Sequence, residues 1–419
     1  MEKCDILIIG GGPAGLFAAV SLHKNKKVIL IEKNNRPGKK LLLAGAGRCN
    51  ITHDGKITDF FAKYGENTRF LKTALQNFTN TDLISFFNKR GLSTIRDKNG
   101  KIFPKSENAL DVLNTLVEEC EKCGVNINNT ESVISINKAK ESFTVQTNKS
   151  DYKASQIIIA TGGLSYPGTG STGDGYRFAK KFGHNIIEPR PSLTPIYVDN
   201  YKFANISGVS LTERPIHLYR NGKKVKEYKG DIGFTHKGIS GPGILDFSRF
   251  FQKGDTITIN LINQTQEILR EALVQGNENS GKTSVKNFLT KYDLPESLVK
   301  AVLNSIEIDS KTTLACLTKK LRNVIVDQFC NHPFKIGKIG NFKIAMATTG
   351  GITITEISPK TMESKLIEGL YFTGEVIDID GDTGGYNIQA AFSTGRLAAD
   401  SINKSEQKKN PPPKTIRIQ

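Results

Sequence analysis

Residues 39–53 read KKLLLAGAGRCNITH, in which Arg48, Cys49, Asn50, Thr52 and His53 crowd behind a run of small residues. Three chemistries use such a group: a Cys/His nucleophile pair, a metal site, or a loop that wraps a ligand. A metal needs further ligands at suitable spacing, and Cys49 and His53 have none nearby. A Cys/His hydrolase needs an acyl-transfer constellation, which nothing else in the chain supplies. The loop reading stands, because small residues let backbone amides approach a bound group. Within it Cys49 is either a small buried residue or a thiol that passes a proton to a substrate. His236, in FTHKGISGP (234–242), is a second candidate donor between a strand and a glycine-rich turn. Its other reading is a turn histidine bonded to backbone.

The N-terminus specifies the ligand class. CDILIIG (4–10) is an apolar run suited to a strand buried on both faces. GGGPAG (10–15) follows, then a helical pattern, then a second buried strand, KKVILIE (26–32), ending in Glu32. Gly10 permits the tight turn, Gly12 lets the backbone approach a pyrophosphate, and Gly15 lets helix and strand pack closely. The helix start offers free amides and a positive dipole end to phosphates. Glu32 is placed to accept hydrogen bonds from an adenosine ribose. PGTGSTGDG (167–175) repeats the glycine spacing at Gly168, Gly170 and Gly173. The preceding strand QIIIA ends at Ala160, so this run reads as a loop leading to a helix, and no second dinucleotide domain is expected.

From about 193 to 264 the chain alternates like short strands, with Asn221-Gly222 marking a hairpin. From 265 to 340 it turns helical. Buried-strand texture returns in GLYFTGEVIDIDG (369–381), with Gly374 and Glu375 at the carboxyl end, followed by glycines and a helix over 387–400. One fingerprint at the start and a glycine-rich strand–helix at the end describe a site built from both termini. FAD fits this better than NAD: its ADP half would use the fingerprint and its flavin half would reach the C-terminal strand. Glu375 reads as a holder of the ribityl or pyrophosphate region, or else as a solvent carboxylate. The first amides of the last helix would face the electron-rich end of the flavin.

At 419 residues the chain predicts two or three domains. It has no apolar run of about 18 residues and no signal-peptide layout, so a cytoplasmic protein outside the membrane is expected. The six cysteines are scattered, in keeping with a reducing compartment. Cys120 and Cys123 form one CxxC on a helical pattern, and no metal site is expected. A net charge of +17 attracts polyanions such as nucleic acid, the other reading being a lysine-rich solvated surface. Lys223, Lys224, Lys226 and Lys229 of one hairpin would grip RNA phosphates. The tail 404–419 reads as disordered and basic. The choice between monomer and homo-oligomer stays open.

The segments GGGPAG (10–15), AGAGRCNIT (44–52), ATGGLSYPGTGSTGDGY (160–176), FTHKGISGP (234–242), ATTGGI (347–352) and GLYFTGEVIDIDGDTGGYNIQAAFSTG (369–395) together resemble the HI0933-like flavoproteins. These are also called the BaiN/RdsA or aminoacetone-oxidase-like FAD-binding family. Ala44 and Ala46 depart from the glycines expected beside the RCN, which predicts a stiffer loop. The resemblance implies an α/β fold: a Rossmann-like FAD-binding domain (1–192 and 341–403) interrupted by a β-barrel-like domain (193–264) with a small helical part and return strand (265–340). It implies an FAD-dependent oxidoreductase with NADH or NADPH as a transient reductant. Family activities include steroid-acid metabolism and reduction of a uridine of large-subunit ribosomal RNA to dihydrouridine, and the charge favours RNA as partner. The alternatives are a flavoenzyme of a small ketone, enone or amine, and a non-catalytic FAD-holding RNA-binding factor. Carried onto this chain, the cofactor contacts are Gly10, Gly12, Pro13, Ala14, Gly15, Glu32, Lys33, Arg48, Asn50, Val133, Thr161, Gly162, Gly163, Asp174, Gly374, Glu375, Gly385, Asn387 and Ile388. Cys49, near the flavin, is the first choice of proton donor and His236 the second.

Overall fold

Uninterrupted runs of Ile, Leu and Val become strands covered on both faces, because only a sheet with helices on each side can bury them. The computed structural model describes residues 1–409. Its main sheet contains β1 (Glu2–Ile9), β2 (Val28–Ile31), β3 (Asn126–Asn128), β4 (Val133–Ala139), β5 (Ser142–Thr147), β6 (Asp151–Ile159) and β7 (Leu370–Phe372). The strand order is β3-β2-β1-β6-β5-β4, and β7 pairs with β6. β6 serves two partners on one edge. Its first half pairs antiparallel with β5 (Phe143 opposite Ala154), and its second half pairs parallel with β7 (Phe372 opposite Ile159). The far end of the chain is thereby brought one strand away from β1.

The helices that matter to the site are α1 (Pro13–Ser21), α2 (Ala109–Lys122), α3 (Asp174–Lys181) and α4 (Tyr386–Lys409). α1 and α4 touch through small residues: a Cβ added at Gly395 would lie 2.4 Å from the Ala14 carbonyl oxygen. Cys120 and Cys123 turn their thiols to α1, donating to the Leu16 and Val20 carbonyls at 3.7 and 4.0 Å. That CxxC is helix packing.

The chain divides into two compact units, Ser192–Asn341 and the remainder. The second unit is a closed barrel of Ile196–Val198, Gly238–Ser240, Lys223–Phe234, Ser210–Arg220, Thr256–Ile259 and His332–Ile339. The Asn221-Gly222 turn has φ of +50° and +74° at its two central residues, the geometry that matches strand twist in a tight hairpin. Helices Gln266–Ser280, Glu296–Ser305 and Lys319–Cys330 intervene before the closing strand. Ile216, Leu218, Ile257 and Phe334 of the barrel share one apolar core with Leu269, Leu298 and Phe329 of the helices. The helical part and return strand of 265–340 thus pack with the barrel strands inside one compact unit. The tail also differs from expectation: α4 runs on to Lys409, while 410–419 lie outside the described residues. Among the described residues no helix is long and apolar enough to cross a membrane.

Candidate functional site

The fingerprint is built where β1 hands over to α1. Gly10 has φ +106°, which favours glycine, and donates its N–H to the Ile31 carbonyl at 2.8 Å. A Cβ at Gly10 would stand 2.5 Å from the Ala160 carbonyl oxygen, and one at Gly15 only 2.0 Å from that of Gly10. A Cβ at Gly12 would meet nothing within 4 Å. Gly10 and Gly15 thus lack side chains because protein fills the space, whereas Gly12 borders open space. Gly12 N-caps α1 without a side-chain cap, and Pro13 takes the first helical position. The amides of Ala14 and Gly15 follow in the first turn, where an anion is favoured.

Glu32, at the end of β2, is buried and holds this turn together. Its carboxylate accepts from the N–H groups of Gly11 (2.9 Å) and Asn34 (2.8 Å). The repeated glycine run packs onto the same spot. Lys33 Nζ lies 2.7 Å from the Asp174 carboxylate, and Asn34 donates to the Thr169 carbonyl at 3.0 Å. Val133 opens β4, partly buried against the core. Gly162 and Gly163 follow β6, and a Cβ at Gly163 would press to 2.5 Å from Thr348 Oγ1.

The opening RCN segment is an irregular turn. Ala46 and Cys49 both adopt left-handed backbone, φ +57° and +59°, at a cost of about 1–2 kcal/mol for a residue with a Cβ. Cys49 has no accessible surface, and its N–H donates to the Ala44 carbonyl at 2.8 Å. Burial pushes its thiol up to about 12. Of the two readings of Cys49, the structure has the small buried residue: the side chain belongs to the apolar core. His53 does not pair with it: its ring nitrogens lie 2.9 Å from the Asp54 and Asn99 carbonyls, and the ring stacks on Tyr386. Arg48 is exposed, lies over the Phe103 ring at 4.6 Å and pairs with Glu107 at 3.3 Å. Asn50 is buried.

The C-terminal half closes on this loop. Thr52 donates to Gln389 Oε1 at 2.7 Å, and a Cβ at Gly385 would come within 2.7 Å of the Thr52 carbonyl. Asn387 uses its side chain to close the preceding loop, accepting from the Gly381 N–H and donating to its carbonyl, both at 2.8 Å. Ile388 packs partly buried on the core. Their backbone amides lie in the first turn of α4. Gly374 rests against Ala14, a Cβ there reaching 2.9 Å from the alanine methyl. Glu375 is no free carboxylate. It accepts from Lys40 Nζ (2.5 Å), Ser165 Oγ (3.0 Å) and the Thr348 N–H (2.7 Å). Sequence reasoning missed Lys40, Ser165 and Thr348 as site residues, although Ser165 and Thr348 lie within the quoted segments 160–176 and 347–352.

Three covered polar atoms near the fingerprint and the strand ends lack partners that a ligand could supply: Asn50 Oδ1, Thr161 Oγ1 and Thr373 Oγ1. Thr161 and Thr373 follow the carboxyl ends of the adjacent parallel strands β6 and β7, the ligand-binding edge of such sheets. An open, glycine-lined helix start beside a buried carboxylate, with unmatched hydroxyls and an amide oxygen, suits a long polar dinucleotide such as FAD. His236 is exposed on the barrel unit in a turn closed by Thr235, whose N–H and hydroxyl both donate to the Gly238 carbonyl at 2.9 Å. Among the described residues no three His, Cys, Asp or Glu side chains gather as a metal site.

The chain is 32% identical over 406 residues to the ribosomal RNA dihydrouridine synthase of Escherichia coli (strain K12), covering 96% of this chain and 98% of that one. It is 34% identical over 412 residues to the protein of the same name from Haemophilus influenzae, covering 96% and 99%. It is 28% identical to the 3-dehydro-bile acid delta(4,6)-reductase of Clostridium scindens, covering 93% and 97%. The family model described as the HI0933-like protein Rossmann domain matches residues 4–401, so this chain belongs to the HI0933-like family.

Proposed function

We propose that this chain is an FAD-dependent oxidoreductase that reduces a uridine of large-subunit ribosomal RNA to dihydrouridine, with NADH or NADPH as electron donor. The observation that carries the reading is identity of 32% and 34%, over nearly the whole of both chains, with two proteins named for that activity. The net charge of +17 suits a polyanionic substrate.

When bound, the flavin would take up hydride from the nicotinamide and release it to the uracil ring. The chain's own residues hold and orient. The Ala14 and Gly15 amides would hold the pyrophosphate, with Gly12 leaving the space beside them open. Glu32, while anchoring Gly11 and both the N–H and the side-chain amide of Asn34, keeps one lone pair on Oε2 for a ribose hydroxyl. Lys33 and Asp174 brace the loop over that end. Asn50, Thr161 and the first turn of α4 would hold polar edges of the cofactor, and the Lys40–Glu375 pair ties the two halves of the site together. Uracil reduction also requires a proton at the carbon beside the one that receives hydride. The covered Cys49 thiol does not supply it, and His236 is the donor we propose instead.

Mass spectrometry of ribosomal nucleosides tests the reading. A strain lacking this gene should lose one dihydrouridine, and the wild-type gene should restore it where Gly12→Val does not. An unchanged nucleoside profile, with purified protein reducing a small enone, would replace this reading by small-molecule reduction.

A further inference from the structure

We infer that the outer face of the barrel is a binding site for single-stranded RNA, centred on Tyr219. The inference rests on the RNA reading above but concerns a surface of the barrel unit alone. Leu218, Ile257 and Phe334 point into the barrel and are buried. Their chain neighbours Tyr219, Thr256 and Lys335 therefore point outward. Strand register aligns them: Tyr219 pairs with Lys224 on one side and Thr256 on the other, and Thr256 pairs with Lys335. Directly paired residues share a face. The result is a row Tyr219–Thr256–Lys335 about 10 Å long at ordinary strand spacing, with Lys224 brought opposite Tyr219 by a register shift in the hairpin.

Beside the tyrosine is a recess of about 390 Å³ lined by Tyr219, Asn221, Gly222, Gly254, Thr256 and Thr258. Its two glycines keep it open, since a Cβ at either meets nothing within 4 Å. Thr258 also lines it, with its Oγ1 covered and without a hydrogen-bond partner. Exposed Lys223, Lys253 and Lys335 belong to the same strands and turns. Three of the four hairpin lysines have partners within the chain. Lys224 pairs with Glu227 at 2.6 Å, Lys229 with Glu213 at 3.7 Å, and Lys226 lies 3.8 Å over the Phe250 ring. What the face offers is one aromatic ring for a base, hydroxyl and amide groups for its edges, and lysines for flanking phosphates. That combination recognises single strands rather than duplex, whose bases are stacked away.

The test is binding of fluorescent oligouridine RNA, roughly a dozen nucleotides long, to the full chain across a salt series. Tyr219→Ala should weaken binding about tenfold or more, while Tyr219→Phe, which keeps the ring, should bind as the wild type does. Lys335→Gln and Lys223→Gln should each make the slope of log affinity against log salt shallower by about 0.7. Thermal midpoint and flavin absorbance report that each variant is folded. Wild-type affinity in folded Tyr219→Ala overturns this site, and the RNA reading survives if the wild type still forms dihydrouridine. Wild-type protein that forms dihydrouridine without binding oligouridine also overturns it. Wild-type protein that does neither overturns both.

Discussion

Lys40 and Glu375, 335 residues apart in the chain, meet with Nζ 2.5 Å from Oε2. Both side chains are largely covered, at 26% and 20% exposure, so neither charge is well served by water alone. Ser165 and the Thr348 N–H converge on the same carboxylate. The pair therefore ties the loop after β2 to the end of β7 and fixes the relation of the two halves of the site. Glu375→Gln should keep the shape but leave the ammonium short of its partner, costing about 1–3 kcal/mol of stability. FAD affinity should fall roughly tenfold as the loop loosens. Fluorescence titration of the apoprotein with FAD checks this, and unchanged affinity in both Glu375→Gln and Lys40→Met would sink it.

The fingerprint glycines should separate cleanly by substitution. Gly12 has φ −77°, open to any residue, and no atom near its missing Cβ. Gly12→Val should fold with a loss near 1 kcal/mol, from a poorer N-cap, yet emerge colourless because the branched side chain fills the pyrophosphate's place. Gly15→Val would drive a Cβ into the Gly10 carbonyl at 2.0 Å and should fail to fold. A yellow Gly12→Val protein would show that the cofactor is held elsewhere.

Cys49→Ala should keep activity within about twofold and lose about 1 kcal/mol of stability, as a buried truncation does. Native protein should resist alkylation at this thiol. The pH sign follows from the shift: the folded thiol titrates near 12, above its ordinary value of 9.0. Its contribution to stability is complete below pH 9 and is lost as pH rises toward 12. A loss of activity beyond about a hundredfold in folded Cys49→Ala would restore the thiol as proton donor. His236→Asn is the companion variant, expected to lower the rate of base reduction while flavin reduction by NAD(P)H stays unchanged.

The readable parts are those written in local pattern. β1, the Gly10–Gly15 turn, α1 and β2 follow from unbroken apolar runs and glycine spacing. The hairpin at Asn221-Gly222 follows from its turn pair. The unreadable parts depend on distant partners. Nothing in KKLLL says that Lys40 will meet Glu375, and nothing in RCNITH says that Cys49 will turn inward while Thr52 bonds to Gln389. Arg48 looks like a phosphate ligand by residue type, but Phe103 and Glu107, supplied by a separate segment, engage it. The Gly168–Gly173 run is separable from the fingerprint by its distance from the preceding strand. Its docking on Lys33 and Asn34 depends on where β6 and β2 lie in the sheet. Ala46 in left-handed backbone shows the cost of the departure from glycine: the loop keeps its shape and carries strain.

His332 should make the barrel unit sensitive to acid. Its ring is buried against Phe203 and Phe334, with centroids 5.1 and 4.8 Å away, and Nδ1 lies 3.2 Å from the Gln328 carbonyl. Burial holds its pKa down to about 4 from 6.5, because the imidazolium would lose its hydration among aromatic rings. The neutral form is therefore the folded form. Its stabilising share is complete above pH 6.5 and drains away as pH falls toward 4, reaching a loss of about 3 kcal/mol at most. His332→Phe keeps an aromatic ring in place but cannot be protonated. It should cost about 1 kcal/mol at pH 7 for the lost hydrogen bond and flatten the acid limb. Hydrogen-exchange mass spectrometry of the strand His332–Ile339 between pH 7 and pH 4.5, corrected for intrinsic rates, reads this locally. In wild-type protein the protection of that strand should fall with pH, and in His332→Phe it should stay nearly constant. Parallel loss in both proteins would mean that another group senses the acid.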